Sequence, residues 1–332
     1  MRKTVLVTGG AGFIGHHIIE HILKNTDWSI VVLDRIDCSG NLNRLTDIAI
    51  WEKEKSRVKV MFHDLRAEIN AQVDEQIGYV NVILHLAAST HVDRSIVDPM
   101  TFVLDNVVGT TNLLQFARKR IVDLEAVVIF STDEVFGPAP HGVAYREWDR
   151  YKSGNPYAAS KAGAEEMAIA FQNTYGLPIV VTHTMNVFGE RQNPEKFIPS
   201  TIRKVLKGEV VTIHSDKTRT KAGSRFYIHA RNVASALLFI LNQKMDAGQK
   251  YNIVGEREVD NLEMAKSIAA SIGKPLHYDM VDFHSSRPGH DLRYALDGSF
   301  LAAKGWKIPM DFEHSLASTV RWTVSNNRWL LG

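Results

Sequence analysis

The sequence predicts an α/β protein, a doubly wound parallel sheet with a smaller α+β lobe. Three observations carry that expectation. Short runs rich in Val and Ile, without polar alternation, recur along the first part of the chain, as strands buried on both faces do. Longer stretches with apolar residues at helical spacing lie between them. After about residue 190 the runs shorten and sit between Gly- and Pro-bearing loops. Strand and helix in alternation argue for a parallel sheet covered on both faces.

The strand runs are Thr4–Thr8, Ile30–Asp34, Val58–His63, Val82–Leu86, Ala126–Ser131 and Ile179–His183. The helical stretches are Phe13–Lys24, Pro99–Arg118 and Pro156–Tyr175. Three later runs, Val210–Ile213, Tyr251–Val254 and Leu276–Met280, are assigned to the smaller lobe, and the polar stretch Ser215–Arg225 to an exposed loop. At about 100–200 residues per domain, 332 residues make about two domains. They are expected at 1–190 and 191–332, with some chain crossing back to the first.

Composition bounds the function. Apolar residues at 45% and charged residues at 23% match soluble globular proteins and exclude disordered, collagenous and coiled-coil classes. With 39 Lys+Arg against 37 Asp+Glu, a net charge of +2 gives no electrostatic case for nucleic acid or an anionic membrane as partner. Cys38 stands alone, so no intrachain disulfide can form, and no metal site is expected. The start, Met1-Arg2-Lys3-Thr4-Val5, runs directly into a strand, so a cytoplasmic location is expected.

Val5-Leu6-Val7-Thr8-Gly9-Gly10-Ala11-Gly12-Phe13-Ile14-Gly15 reads as a strand, a glycine turn and a helix start. Gly9 permits the tight turn, Gly12 admits a pyrophosphate to the backbone, and Gly15 lets helix and strand pack closely. The first helical N–H groups, around Phe13 and Ile14, then face phosphate oxygens. Asp34, about 20 residues on at the end of the second strand, is placed to hydrogen-bond a ribose 2′-hydroxyl and to repel a 2′-phosphate. The preference is NAD, with Arg35 leaving NADP some room. Asp64 and Leu65, after the third strand, are placed to meet the adenine or to serve as plain loop residues.

Tyr157 and Lys161, in Pro156-Tyr157-Ala158-Ala159-Ser160-Lys161, lie one helical turn apart. A phenol with pKa near 10 is a poor base at neutral pH, and a neighbouring ammonium is expected to lower it. Such a pair removes a hydroxyl proton while hydride leaves the same carbon. With these residues the chain resembles the extended short-chain dehydrogenase/reductase family over nearly its whole length. The resemblance implies a Rossmann-type sheet, NAD, and catalytic roles for Tyr157 and Lys161.

Ser131-Thr132-Asp133-Glu134 follows the fifth strand and should emerge at the carboxyl edge of the sheet. Two adjacent carboxyl groups there can divide an elimination, one as base and one as acid. In this segment the chain resembles nucleotide-sugar 4,6-dehydratases. Further similar segments are His85-Leu86-Ala87-Ala88-Ser89-Thr90-His91-Val92-Asp93-Arg94-Ser95, Pro194-Glu195-Lys196-Phe197-Ile198-Pro199 and Arg287-Pro288-Gly289-His290-Asp291-Leu292-Arg293-Tyr294-Ala295. The chain end, with Trp322, Asn327 and Trp329, is similar too.

The resemblance implies that Thr132, Tyr157 and Lys161 serve oxidation at C4, Glu134 removes the C5 proton and Asp133 protonates the departing C6 hydroxyl. It places Ala87 beside the cofactor and His91, Asp93 and Arg94 at the sugar. It assigns Asn186, Lys196, Arg225 and Arg293 to the diphosphate of an NDP-hexose, dTDP- or UDP-glucose. Asn106 is expected either to hold backbone near the cofactor or to cap a helix. A homodimer through Pro99–Arg118 and Pro156–Tyr175 is expected from the family.

The chain departs from thymidine-diphosphate-glucose dehydratases at several points. Thr212 and His214 stand where a Pro and a Tyr are usual. The 215–225 loop is longer and more basic, Ser89-Thr90 replaces a Glu-Ser pair, and Val187-Phe188 follows Asn186 where Asn-Tyr is common. The alternatives are a nucleotide-sugar 4-epimerase, which needs neither Asp133 nor Glu134, and an inactive NAD-binding scaffold.

Overall fold

The computed structural model describes residues 2–37, 39–243, 247–282 and 292–331. Cys38 and the Arg287–Asp291 part of the last signature lie outside them. The strands in chain order are β1 (Thr4–Thr8), β2 (Ser29–Asp34), β3 (Val58–Phe62), β4 (Val82–His85), β5 (Ala126–Thr132), β6 (Ile179–Thr184) and β7 (Val187–Phe188). There follow β8 (Val211–Ser215), β9 (Ser224–Phe226), β10 (Ile228–His229), β11 (Lys250–Ile253), β12 (Glu258–Asp260) and β13 (Tyr278–Asp282). Seven of them form one parallel sheet in the order β11-β6-β5-β4-β1-β2-β3.

Helices cover both faces. On one side Ile18, Ile19 and Ile22 of helix Phe13–Asn25 pack with Val233, Leu237 and Leu241 of helix Ala230–Asn242. On the other, Leu113, Phe116 and Ala117 of helix Gly109–Lys119 pack with Ala168 and Phe171 of helix Pro156–Tyr175. Every residue of β5 is buried, which is why that run is apolar without alternation. The strand order turns back between β1 and β4, and a crevice opens at their carboxyl ends.

The stretch 99–119 is helical throughout but changes pitch. Pro99–Phe102 is α-helical, Val103–Val108 is π-helical, and Gly109–Lys119 is α-helical again. The wider turn buries both Asp105 and Asn106.

The later chain pairs β8 with β13 and β7 with β10 in parallel, and β9 with β12 antiparallel. Phe188, Ile202, Met264, Phe312 and Leu316 form the centre of its core. One expectation is corrected. The run Tyr251–Val254 belongs to the main sheet as β11, with Tyr251 opposite Thr182 of β6. Its four residues are all buried although it forms the edge of the sheet beside β6, and helix Ala230–Asn242 is the crossover that carries the chain back to the sheet.

Candidate active site

The glycine turn is built for close approach. Gly9 has φ +70°, and a Cβ there would stand 2.7 Å from the Ala87 nitrogen. A Cβ on Gly15 would fall 2.4 Å from the Gly9 carbonyl oxygen. Helix Phe13–Asn25 begins at Gly12 with no side-chain cap, so the N–H groups of its first turn, including Phe13 and Ile14, remain for an anion. The open cleft in front is lined by Gly9, Gly12, Asp34, Asp64, Leu65 and Ala87.

Asp34 accepts hydrogen bonds from the Ala11 nitrogen at 3.0 Å and the Ile36 nitrogen at 2.9 Å. Burial raises its pKa from the usual carboxylate value. Arg35, which left room for NADP, donates to both Asp105 oxygens at 2.6 and 2.8 Å and to Asp37 at 2.8 Å. Its charge is committed to carboxylates, so Asp34 sets the preference at this end of the cleft. Asp64 carries an ion pair with Arg66 beside Leu65.

Asn106 is not a helix cap. It sits inside the π-helical turn, accepts from the Ser89 nitrogen at 2.8 Å, and donates to the Ser89 carbonyl at 3.0 Å and to Ser160 Oγ at 2.8 Å. One side chain thus ties the strand-end segment after β4 to the helix that bears Tyr157. His85 bridges Thr8 and Thr110 at 2.8 Å each, and burial holds its pKa down to about 3, so it is a neutral crosslink at the switch point.

Beyond the cleft, β5 delivers Thr132, Asp133 and Glu134 into the same space as Tyr157. The Thr132 hydroxyl donates to Asp133 Oδ1 at 3.0 Å and is hydrogen-bonded to Tyr157. Asp133 is buried, and its Oδ2 lacks a partner among the described residues. Burial first, then the neighbouring Glu134, push its carboxyl up to about 7 against the pull of Arg225. Glu134 is half-buried, and its Oε2 accepts from Asn155 Nδ2 at 2.9 Å.

One electrostatic expectation is corrected. Tyr157 is pushed above its usual pKa, by burial first and by Glu134 and Asp133 next, with the Thr132 hydrogen bond opposing. Lys161 does not lower it. Its ammonium donates to the Phe130 carbonyl at 2.6 Å, and burial draws its own pKa down to about 8. A phenol removed from water next to two carboxyl groups resists ionisation more than one ammonium, turned to a carbonyl, relieves.

At the rim His91, Asp93, Arg94 and Lys196 converge. Arg94 donates to Glu195 at 3.1 Å, while burial and the charges of Lys196 and Arg94 hold the His91 pKa down. Asn186 is exposed just beyond the end of β6. Arg225 lies over the Tyr294 ring at 4.8 Å and is close enough to act on Asp133. Arg293, expected at the diphosphate, is engaged within the protein. Its guanidinium donates to Glu258 at 2.8 and 3.1 Å and to the carbonyls of Ala139, Pro140 and Val143. It fastens the 139–143 loop to β12.

The sequence reading missed Asn155 and a buried network behind Lys161. Asn-Pro before a helix is a recognisable start signal, but nothing in it reveals contact with Glu134. In the network Glu165 meets Ser131, Tyr151, His183 and Lys250. Although burial opposes it, His183, Lys250 and Ser131 hold the Glu165 carboxyl down to about 2. Among the described residues no cluster of metal-ligating side chains occurs, and no helix is long and apolar enough to cross a membrane.

Comparison with known proteins adds an independent line. Residues 5–254 match the model of the NAD dependent epimerase/dehydratase family. A dTDP-glucose 4,6-dehydratase of Neisseria gonorrhoeae is 36% identical over 347 residues, spanning 98% of this chain and 96% of that protein. The crystal structure of DesIV, a dTDP-glucose 4,6-dehydratase of Streptomyces venezuelae with NAD bound, superposes with a TM-score of 0.88 at 33% identity over 99% of each chain. A UDP-glucose 4-epimerase of Thermus thermophilus in complex with NAD gives 0.85 at 30% identity, over 96% of this chain and 98% of that one.

Proposed function

The chain belongs to the NAD dependent epimerase/dehydratase family, and on that premise we propose that it is a nucleotide-sugar 4,6-dehydratase, a hydro-lyase acting on dTDP- or UDP-glucose. The observation that carries this reading is the Asp133-Glu134 pair. One carboxyl is driven toward its neutral form and the other accepts an amide N–H, which suits an acid and a base side by side. An elimination across C5 and C6 needs both. Inversion at C4 needs neither.

The glycine turn, Asp34 and the segment pinned by Asn106 hold the dinucleotide. Bound NAD supplies the hydride acceptor for C4, the donor for C6 and, in its oxidised ring, a positive charge that favours the phenolate of Tyr157. Tyr157 Oη, with the Thr132 hydroxyl beside it, takes the C4 hydroxyl proton as C4 is oxidised. The ketone acidifies the C5 hydrogen, and Glu134 takes it. Asp133, largely protonated at neutral pH, gives its proton to the C6 hydroxyl, which departs as water. Glu134 exchanges its proton with solvent and protonates C5 as C6 is reduced, and the proton gained by Tyr157 restores Asp133. Water alone is lost.

Residues 1–190 carry the NAD site and the acid-base groups, and residues 191–332 mainly grip the nucleotide. Asn186, Lys196 and Arg225 take the diphosphate, with His91, Asp93 and Arg94 at the sugar. Arg225 is the best supported of these, because it lies over Tyr294 within reach of Asp133. A homodimer is part of the same proposal, supported by the exposed apolar residues Val97 (86%) and Met100 (62%), with Ile96, Val103 and Leu104, at the end of helix Val92–Val97 and the start of the helical stretch that follows it. A cytoplasmic location is supported by the single cysteine of the chain.

Purified protein given dTDP-, UDP-, CDP- and GDP-glucose, GDP-mannose and UDP-N-acetylglucosamine is the test. Loss of one water from a glucose nucleotide without net NADH is the expected result. Inverted C4 configuration with no mass loss would make the chain an epimerase.

A further inference from the structure

Two hydrogen bonds from one side chain join the two halves of the proposed chemistry. Asn155 is 7% exposed and sits at the N-cap of helix Pro156–Tyr175. Its Oδ1 accepts from the Ala158 nitrogen at 2.8 Å, which fixes the first turn and so the position of Tyr157. Its Nδ2 donates to Glu134 Oε2 at 2.9 Å. Because Oδ1 is occupied by the cap, the amide is oriented with its N–H groups toward the carboxylate.

We propose that Asn155 is a positioning residue that makes Glu134, rather than Asp133, the base of the C5–C6 elimination. The proposal rests on the dehydratase reading. A hydrogen bond donated to a carboxylate favours its ionised form, and it fixes the oxygen that must meet the C5 hydrogen. Asp133 receives its own backbone N–H but no side-chain amide among the described residues. It shares Oδ1 with the Thr132 hydroxyl and leaves Oδ2 without a partner among the described residues. The adjacent carboxyls are therefore sorted by what faces them: a side-chain amide donor for Glu134, and a hydroxyl together with burial for Asp133. The charged and titratable groups around the pair are Tyr157 on the helix and Arg225 from the second lobe.

Asn155→Ser keeps the cap and weakens the second bond, since Ser caps a helix about as well as Asn while a single hydroxyl on a shorter side chain replaces the amide N–H groups that face Glu134. Asn155→Asp also caps, and it sets a third carboxylate beside the pair. Both variants and the wild type are followed with dTDP-glucose in heavy water, recording C5 deuterium uptake, NADH absorbance and their pH dependence. In Asn155→Ser, C4 oxidation should persist while C5 exchange falls about tenfold, so that NADH absorbance builds up transiently. Its acid-side midpoint should move up by about one pH unit, because a base with raised pKa is ionised only at higher pH. Asn155→Asp should move it further the same way.

Wild-type exchange with an unmoved midpoint in Asn155→Ser overturns the proposal. So does an equal slowing of oxidation and exchange at unchanged midpoint, which is what a cap alone would produce. A wild type that neither exchanges C5 nor loses water sinks the dehydratase reading and the proposal together.

Discussion

Asp133 and Glu134 are neighbours in sequence and opposites in surroundings. Asp133 is buried with its carboxyl held near pH 7, so the acid it provides is present below that value and lost as pH rises through it. Elimination should therefore decline above about pH 7 while C4 oxidation does not, seen as NADH accumulating at high pH. The stability sign follows from the same displacement. Its folded pKa lies above the unfolded value near 3.9, so ionising Asp133 costs the native state, and stability is lost as pH rises from the unfolded value through the folded one. Asp133→Asn should accordingly raise the melting temperature at pH 8 by about 2 °C or more while abolishing water loss. A lowered melting temperature at pH 8 would mean that the carboxylate is paired rather than stranded. Thr132, Tyr157 and Lys161 were readable as residue types at given spacings. What could not be read was the sign of the Tyr157 displacement, because it depends on how burial and two carboxyls weigh against one ammonium.

At the scale of elements, the glycine turn and the π-helical turn both line the cleft proposed for the cofactor. Gly15→Ala puts a methyl group 2.4 Å from a backbone oxygen that has no room to retreat, so NAD affinity should fall at least tenfold in a calorimetric titration. Asn106→Ala leaves the Ser89 N–H and C=O without their side-chain partner and should cost about 1–3 kcal/mol in urea unfolding, with weaker NAD binding. Unchanged affinity would remove the pinned 87–89 segment from the cofactor site. The strands and the helix Pro156–Tyr175 were legible because burial on both faces and helical periodicity write themselves into composition. The π-helical turn was not, since a single widened turn leaves the apolar spacing of 99–119 almost intact. Strand β11 was misassigned to the lobe because its partner, β6, lies nearly 70 residues upstream and no local pattern records that pairing.

For the whole molecule, Arg293 and Glu258 fasten the 139–143 loop and β12 together, and Arg225 lies across the Tyr294 ring from the next strand. Arg293→Met should lower stability by about 1–3 kcal/mol and leave the KM for the nucleotide sugar within about twofold, whereas Arg225→Met, which also removes the bonds to the Ser224 and Leu292 carbonyls, should raise KM as well as lower stability. Val97→Glu on the exposed apolar stretch should yield a monomer by sedimentation. These outcomes separate residues that build the lobe from residues that grip the ligand, a distinction invisible in the sequence because an arginine reads the same in either role. The central claim is that one active site oxidises C4 and then eliminates across C5 and C6. It is tested most directly by incubating wild type and Glu134→Gln with dTDP-glucose in heavy water and following C5 deuterium by mass spectrometry. The account predicts a 4-keto-6-deoxy product carrying one deuterium at C5 from the wild type, and no C5 deuterium from Glu134→Gln, which still binds the nucleotide sugar. Wild-type deuterium uptake in that variant would contradict it.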